Sequence, residues 1–90
     1  MKTINYKWNE DKNNLLKESE RNISFEKVLC AIENDRTIDI ILSPTHKDQK
    51  CFVVEIDNYA YVVPFVQTGN DIFFKTIYPS RKYTKYYLTK

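Results

Sequence analysis

The last eleven residues, Ser80 to Lys90, hold four cations (Arg81, Lys82, Lys85, Lys90), three tyrosines (Tyr83, Tyr86, Tyr87) and no acid. Cations neutralise phosphates and aromatic rings stack on bases, so a segment of this composition suits contact with RNA or another polyanion. Arg81 is the first candidate for phosphate stabilisation, because its planar fork can donate two parallel hydrogen bonds to phosphate oxygens. Lys82 and Lys12 come next, for phosphate contact or for acid–base work where burial lowers an ammonium pKa. Lys85 and Lys90 fit electrostatic attraction of a partner better than contact with a reacting group. His46 is the one histidine and has an ordinary pKa near neutrality. It completes the catalytic candidates, although nothing at helical or strand spacing orients it among Thr45, Lys47 and Asp48. Glu55 is a candidate base on a strand face, which is also the ordinary place for a solvent-facing acid.

The tyrosines divide between chemistry and packing. Tyr59, Tyr61 and Tyr78 fit a core or sheet surface with the hydroxyl reaching water. Tyr83, Tyr86 and Tyr87 suit stacking on bases, or pinning a terminal helix through one aromatic stripe; packing is expected for at least two of the three. Trp8 is expected in the core.

The elements that must position these residues are read from a chain of 90 residues, 42% hydrophobic and 14% aromatic. That is one small globular domain over residues 1–90 rather than a disordered chain. The net charge is +2, with the positive excess confined to residues 50–90 and mostly after Pro79. A local patch of this kind favours a polyanionic partner only modestly. Cys30 and Cys51 stand 21 positions apart with no CxxC, so neither zinc spacing nor a disulfide framework is expected. No cofactor or metal is expected. An apolar run of membrane length is absent from the sequence, which points to no membrane partner and to a cytoplasmic protein with reduced thiols.

Along the chain, Ile4–Trp8 alternates weakly and predicts a first strand. Asn9 then caps a helix over 10–20, with Glu10 and Asp11 in its first turn and a thin apolar face of Leu15 and Leu16. Ser24 caps a second helix to Asn34. Ile23 and Val28 form a hydrophobic staple there, and Phe25, Val28, Leu29 and Ile32 share one face. From Thr37 the pattern becomes strands: 38–42, then 51–56, then 59–66 after a tight Asp57–Asn58 turn. Pro64 cannot donate to a ladder, so a bulge or an edge is expected there. Gln67–Asp71 turns around the single glycine, 72–78 is the last strand, and Pro79 is its stop. Ser80 caps a short terminal helix. The order β-α-α-β-β-β-β-α predicts an α+β domain: a largely antiparallel sheet of about five strands, two helices on one face and a short C-terminal helix.

Three short motifs bear a resemblance. Tyr6-Lys7-Trp8-Asn9-Glu10-Asp11-Lys12 resembles the aromatic-x-Trp-Asp-x-x-Lys opening of the BrnT-like toxins. Ile23-Ser24-Phe25-Glu26 resembles their Val-Ser-Phe-Glu, and Ser80-Arg81-Lys82-Tyr83-Thr84 resembles their Ala-Arg-Lys-Ala-Thr. The matches follow the family order and span nearly the whole chain. Departures lie at Leu16 where the family usually has Asn, at Glu20-Arg21-Asn22 where it often has Lys-His-Gly, and around Tyr86-Tyr87 where it has an acid. The resemblance implies a RelE/ParE-like fold and a type II toxin that cleaves RNA, on or off the ribosome, held inactive by a cognate antitoxin. A homodimer is compatible with a groove that an antitoxin helix would otherwise fill. Metal-free cleavage would need a base for the 2′-hydroxyl, an acid for the leaving 5′-oxygen and cations for the phosphate. No obvious acid–base pair stands out, so the competing expectation is a non-catalytic module of the same fold that binds an acidic or disordered partner.

Overall fold

Apolar strand runs and helix caps account for most of the architecture. A computed structural model describes residues 4–19, 22–42 and 49–88. In chain order these form β1 (Asn5–Lys7), α1 (Glu10–Lys17), α2 (Phe25–Glu33), β2 (Thr37–Leu42), β3 (Lys50–Ile56), β4 (Tyr59–Thr68), β5 (Asp71–Phe74), β6 (Tyr78–Pro79) and α3 (Arg81–Tyr83), which runs on as a π-helical segment, Thr84–Leu88. The main sheet order is β1-β5-β4-β3-β2, with β6 also paired to β4. All pairings are antiparallel except β1 with β5. The α+β class, the two N-terminal helices and the short C-terminal helix therefore agree with the sequence reading. Among the described residues, no helix is long and apolar enough to cross a membrane.

Both helix starts are capped as expected: the Asn9 side chain accepts from Lys12 N and the Ser24 hydroxyl from Lys27 N. α2 ends in a Schellman turn. Arg36 N donates to Ala31 O at 2.8 Å and Asp35 N to Ile32 O at 3.3 Å, with Asp35 at φ 58°. The β3–β4 hairpin turns through Asp57 and Asn58, both at positive φ (54° and 63°), as a type I′ turn requires.

The first face of the sheet carries the main core. Phe52, Val54 and Ile56 of β3 and Tyr61, Val63 and Phe65 of β4 pack there with Phe25, Val28 and Ala31 of α2. Stacked rings close one end: Phe74 lies 5.5 Å from Tyr6 and 5.9 Å from Phe25, and Trp8 lies 5.8 Å from Phe25. Trp8 is half-buried there, in the place its hydrophobic bulk predicts.

Four details differ from the sequence reading. The predicted last strand breaks into β5 and β6, which brings the expected sheet of about five strands to six. Pro79 stops that strand from within, as the last residue of β6, paired with Tyr61. Leu15, predicted on the apolar face of α1, is exposed, and a fully buried Asn13 anchors that helix instead. α1 ends at Lys17 rather than at Glu20, which lies outside the described residues.

Pro64 explains the broken strand. Its carbonyl accepts from Lys75 N at 2.8 Å, so its nitrogen, on the same side of an antiparallel strand, also points away from β3. Having no N–H, it offers β5 nothing further along that side. β5 leaves after Phe74, and β6 resumes pairing at Tyr61 and Val62. Pro64 thus sits in a central strand, opposite Cys51, with its missing donor in the gap between two neighbours.

Candidate nucleic-acid interface

Strand alternation sends Cys51, Val53 and Glu55 of β3, and Ala60 and Val62 of β4, to the second face, away from α2. Cys51, Val53, Ala60 and Val62 are buried. The row Asp39–Val53–Val62–Tyr78 crosses four strands in register, which places all four side chains on this face.

The C-terminal helix is seated on that face by polar contacts at Ala60. Ser80 N donates to Ala60 O at 2.9 Å, and Ala60 N donates to Thr84 Oγ1 at 2.8 Å. The Thr84 hydroxyl in turn donates to Ser80 O at 2.7 Å. Ser80 Oγ accepts from Tyr83 N and completes the cap. Ala60 therefore has both its backbone groups satisfied by the first turn of the helix, which fixes where Arg81 and Lys82 leave the sheet.

The far end is held by Tyr87, whose hydroxyl donates to Asp39 Oδ2 at 2.7 Å. That bond, led by the Asp39 acceptor, pushes the Tyr87 phenol up to about 12. Burial likewise raises the Tyr78 phenol, with Cys51 and Tyr83 nearby as lesser causes. Neither phenol is suited to give up its proton near neutral pH. Tyr83 stacks on Tyr87 at 5.9 Å, and Tyr86 meets Tyr87 edge-on at 4.8 Å. Tyr83 and Tyr87 are half-buried, as a packing role requires, whereas Tyr86 is 75% exposed.

Arg81, Lys82 and Lys85 are exposed along this helix. Lys82 Nζ lies 5.5 Å from the centre of the Tyr83 ring, a cation–π contact. The ion pairs among the described residues join Lys7 to Asp71 and Lys17 to Glu26, so none of the three cations of this helix is ion-paired to a described acid. Two acids nevertheless share this face: Asp39, which holds Tyr87, and Glu55 of β3, which stands opposite Ala60, the residue on which the helix is seated. Glu55 is half-exposed and also borders a cleft of about 400 Å³ at the end of α2, lined further by Lys27, Cys30, Arg36 and Asp57.

The other sequence candidates do not join this group. Lys12 is exposed in the first turn of α1, in the helical layer on the opposite face of the sheet. His46 and Lys90 lie outside the described residues. No group of three or more His, Cys, Asp or Glu side chains able to hold a metal ion occurs among the described residues. Neither cysteine is in a disulfide among the described residues.

Two contributors escaped the sequence reading. Thr84 had a local signal, since a threonine four residues after Ser80 can return its hydroxyl to that carbonyl. Asp39 had none, because its partner Tyr87 is 48 positions away. Comparison of the chain with protein-family models, with curated proteins and with solved structures finds no match.

Proposed function

We propose that the protein is an RNA-cleaving toxin of the type II class, with its RNA-contacting surface on the C-terminal helix. The observation that carries this reading is the exposed rank of Arg81, Lys82 and Lys85 beside an outward Tyr86, seated on the sheet and unneutralised by acids among the described residues. The three motif resemblances support it from the sequence side, and the α+β element order is the one they imply.

In this reading Arg81 and Lys82 hold the phosphate, Lys85 draws in the neighbouring backbone, and Tyr86 stacks on a base. Glu55 takes the proton of the 2′-hydroxyl. The 2′-oxygen then attacks the adjacent phosphorus, a 2′,3′-cyclic phosphate forms, and the 5′-oxygen leaves with a proton from solvent. The cations act where negative charge builds up in the transition state. Lys12 contributes nothing to the step, being on the other face. The reading places the protein in the bacterial cytoplasm, held by a cognate antitoxin until released.

Expression from a tightly controlled promoter tests this. Growth arrest with fragmented RNA is expected from the parent, and neither from Arg81→Ala. Normal growth and intact RNA in the parent would remove the toxin reading. RNA binding without cleavage would instead assign the surface to a non-catalytic interaction module.

A further inference from the structure

The main path of the sheet ends in two outer strands, β1 and β2, and they are built differently. β1 is three residues long and carries Asn5 and Lys7, which blunts it against further pairing. β2 is longer and apolar, Thr37-Ile38-Asp39-Ile40-Ile41-Leu42. Two of its side chains are well exposed, Ile40 at 52% and Leu42 at 70%.

The direction of the β2 backbone groups follows from the ladder. Pro64 turns its carbonyl away from β3, so Cys51, its partner, must direct its own groups to β2, where it pairs with Ile41. Glu55 N donating to Arg36 O, four residues further on, confirms that phase. Ile40 and Leu42 therefore point their N–H and C=O groups outward, off the edge of the sheet. At Ile40 the outward N–H is occupied: it donates to Asp39 Oδ1 at 2.8 Å. The other oxygen of the same carboxylate accepts the Tyr87 hydroxyl. The C-terminal helix thus holds Asp39 in place over the one outward amide it covers.

We propose that the outer edge of β2 is a self-association surface for a second copy of this chain, held closed by the Asp39 carboxylate under the grip of Tyr87. The occupant follows from the symmetry of the strand. Two β2 strands pairing antiparallel about Ile41 set Ile40 of each copy opposite Leu42 of the other. Those are the two outward-pointing positions, so four N–H···O=C bonds form across the two-fold axis. The two most exposed apolar side chains of the strand cover one another on the same face. In this register the two Asp39 carboxylates are not opposite each other, and the irregular pairing between Thr37 and Asp39 lies outside the paired stretch. The four bonds need Ile40 N–H, which Asp39 must first release. The inference does not depend on the RNA reading.

Sedimentation equilibrium of the full chain tests it, with circular dichroism as the check on folding. Asp39→Ala removes the carboxylate, and Tyr87→Phe keeps the charge but frees it. Both are expected to tighten dimerisation, Asp39→Ala by about tenfold or more, since two competing hydrogen bonds per dimer are lost. Adding Ile40→Pro, which removes the outward N–H and the Ile40 side chain but no bond to β3, returns either variant to the monomer. Folded Asp39→Ala and Tyr87→Phe proteins no more associated than the parent would overturn the proposal and leave the edge open to an extended segment of another protein. Dimers that persist with Ile40→Pro would overturn it too, since they form elsewhere.

Discussion

Replacing Asn13 with alanine tests how the helical layer is held. Asn13 is fully buried in α1. Its Oδ1 accepts from Phe25 N at 2.8 Å, and its Nδ2 donates to Glu26 Oε1 at 2.8 Å. Phe25 N belongs to the first turn of α2, so no carbonyl within that helix can reach it. Alanine leaves this amide buried and unpartnered, which costs about 1–3 kcal/mol, and the lost bond to Glu26 adds about 1 kcal/mol because water can replace part of it. A total near 3 kcal/mol lowers the melting temperature by about 12–24 °C in a domain of this size. Thermal unfolding followed by circular dichroism measures it, and native-state hydrogen exchange at the Phe25 amide locates it. A loss below about 0.5 kcal/mol, the ordinary range for surface substitutions, would refute the reasoning and show that Asn13 is only a filler between the two helices.

The other predictions concern titration and the seat of the C-terminal helix. The bond from Asn13, then the backbone N–H of Glu26 itself and the nearby Lys17, holds the Glu26 carboxyl below its ordinary value, with burial opposing. Because the folded pKa lies below the unfolded one, this stability is present above the ordinary carboxylate pKa and is lost as pH falls through the folded value. Denaturant midpoints against pH will therefore show a shallower acid-side decline in Glu26→Gln than in the parent. The Tyr87 phenol, raised to about 12, stabilises the fold in its protonated form. That contribution is present below pH about 10 and lost as pH rises through 12. Phenolate absorbance should show a late-titrating tyrosine in the parent that disappears in Tyr87→Phe. Thr84→Val keeps the shape but removes the acceptor for Ala60 N, so the Ala60 amide should lose protection by about 1 kcal/mol.

Local signals account for much of what the residues foretold. The caps at Asn9, Ser24 and Ser80, the Asp57–Asn58 turn and the apolar runs of β3 and β4 each depend on a few adjacent residues, and all appear as expected. What was illegible depends on tertiary partners. Pro64 signalled a disturbed ladder but not which side would be broken, because that is set by where β5 leaves and β6 arrives. Asn13 reads as one polar residue among several in Glu10–Lys17, and only the approach of α2 gives it two partners. At the candidate site, Arg81 and Lys82 were legible through their composition and cap. Glu55 was legible as a strand acid, but its place opposite Ala60 comes from the β3–β4 register. The grouping of Lys12 with Arg81 fails for the same reason: the sheet separates their layers.

RNA cleavage through the Arg81 surface is the activity proposed for this protein. Its most direct measurement is the chemistry of RNA ends after incubation of purified, chelator-treated protein with messenger RNA, with and without ribosomes, resolved by mass spectrometry. Fragments ending in 2′,3′-cyclic phosphate are expected from the parent, with a loss of at least about a hundredfold in rate in Arg81→Ala and in Glu55→Gln. Intact RNA from the folded parent in both conditions, or cleavage undiminished in Arg81→Ala, would contradict it.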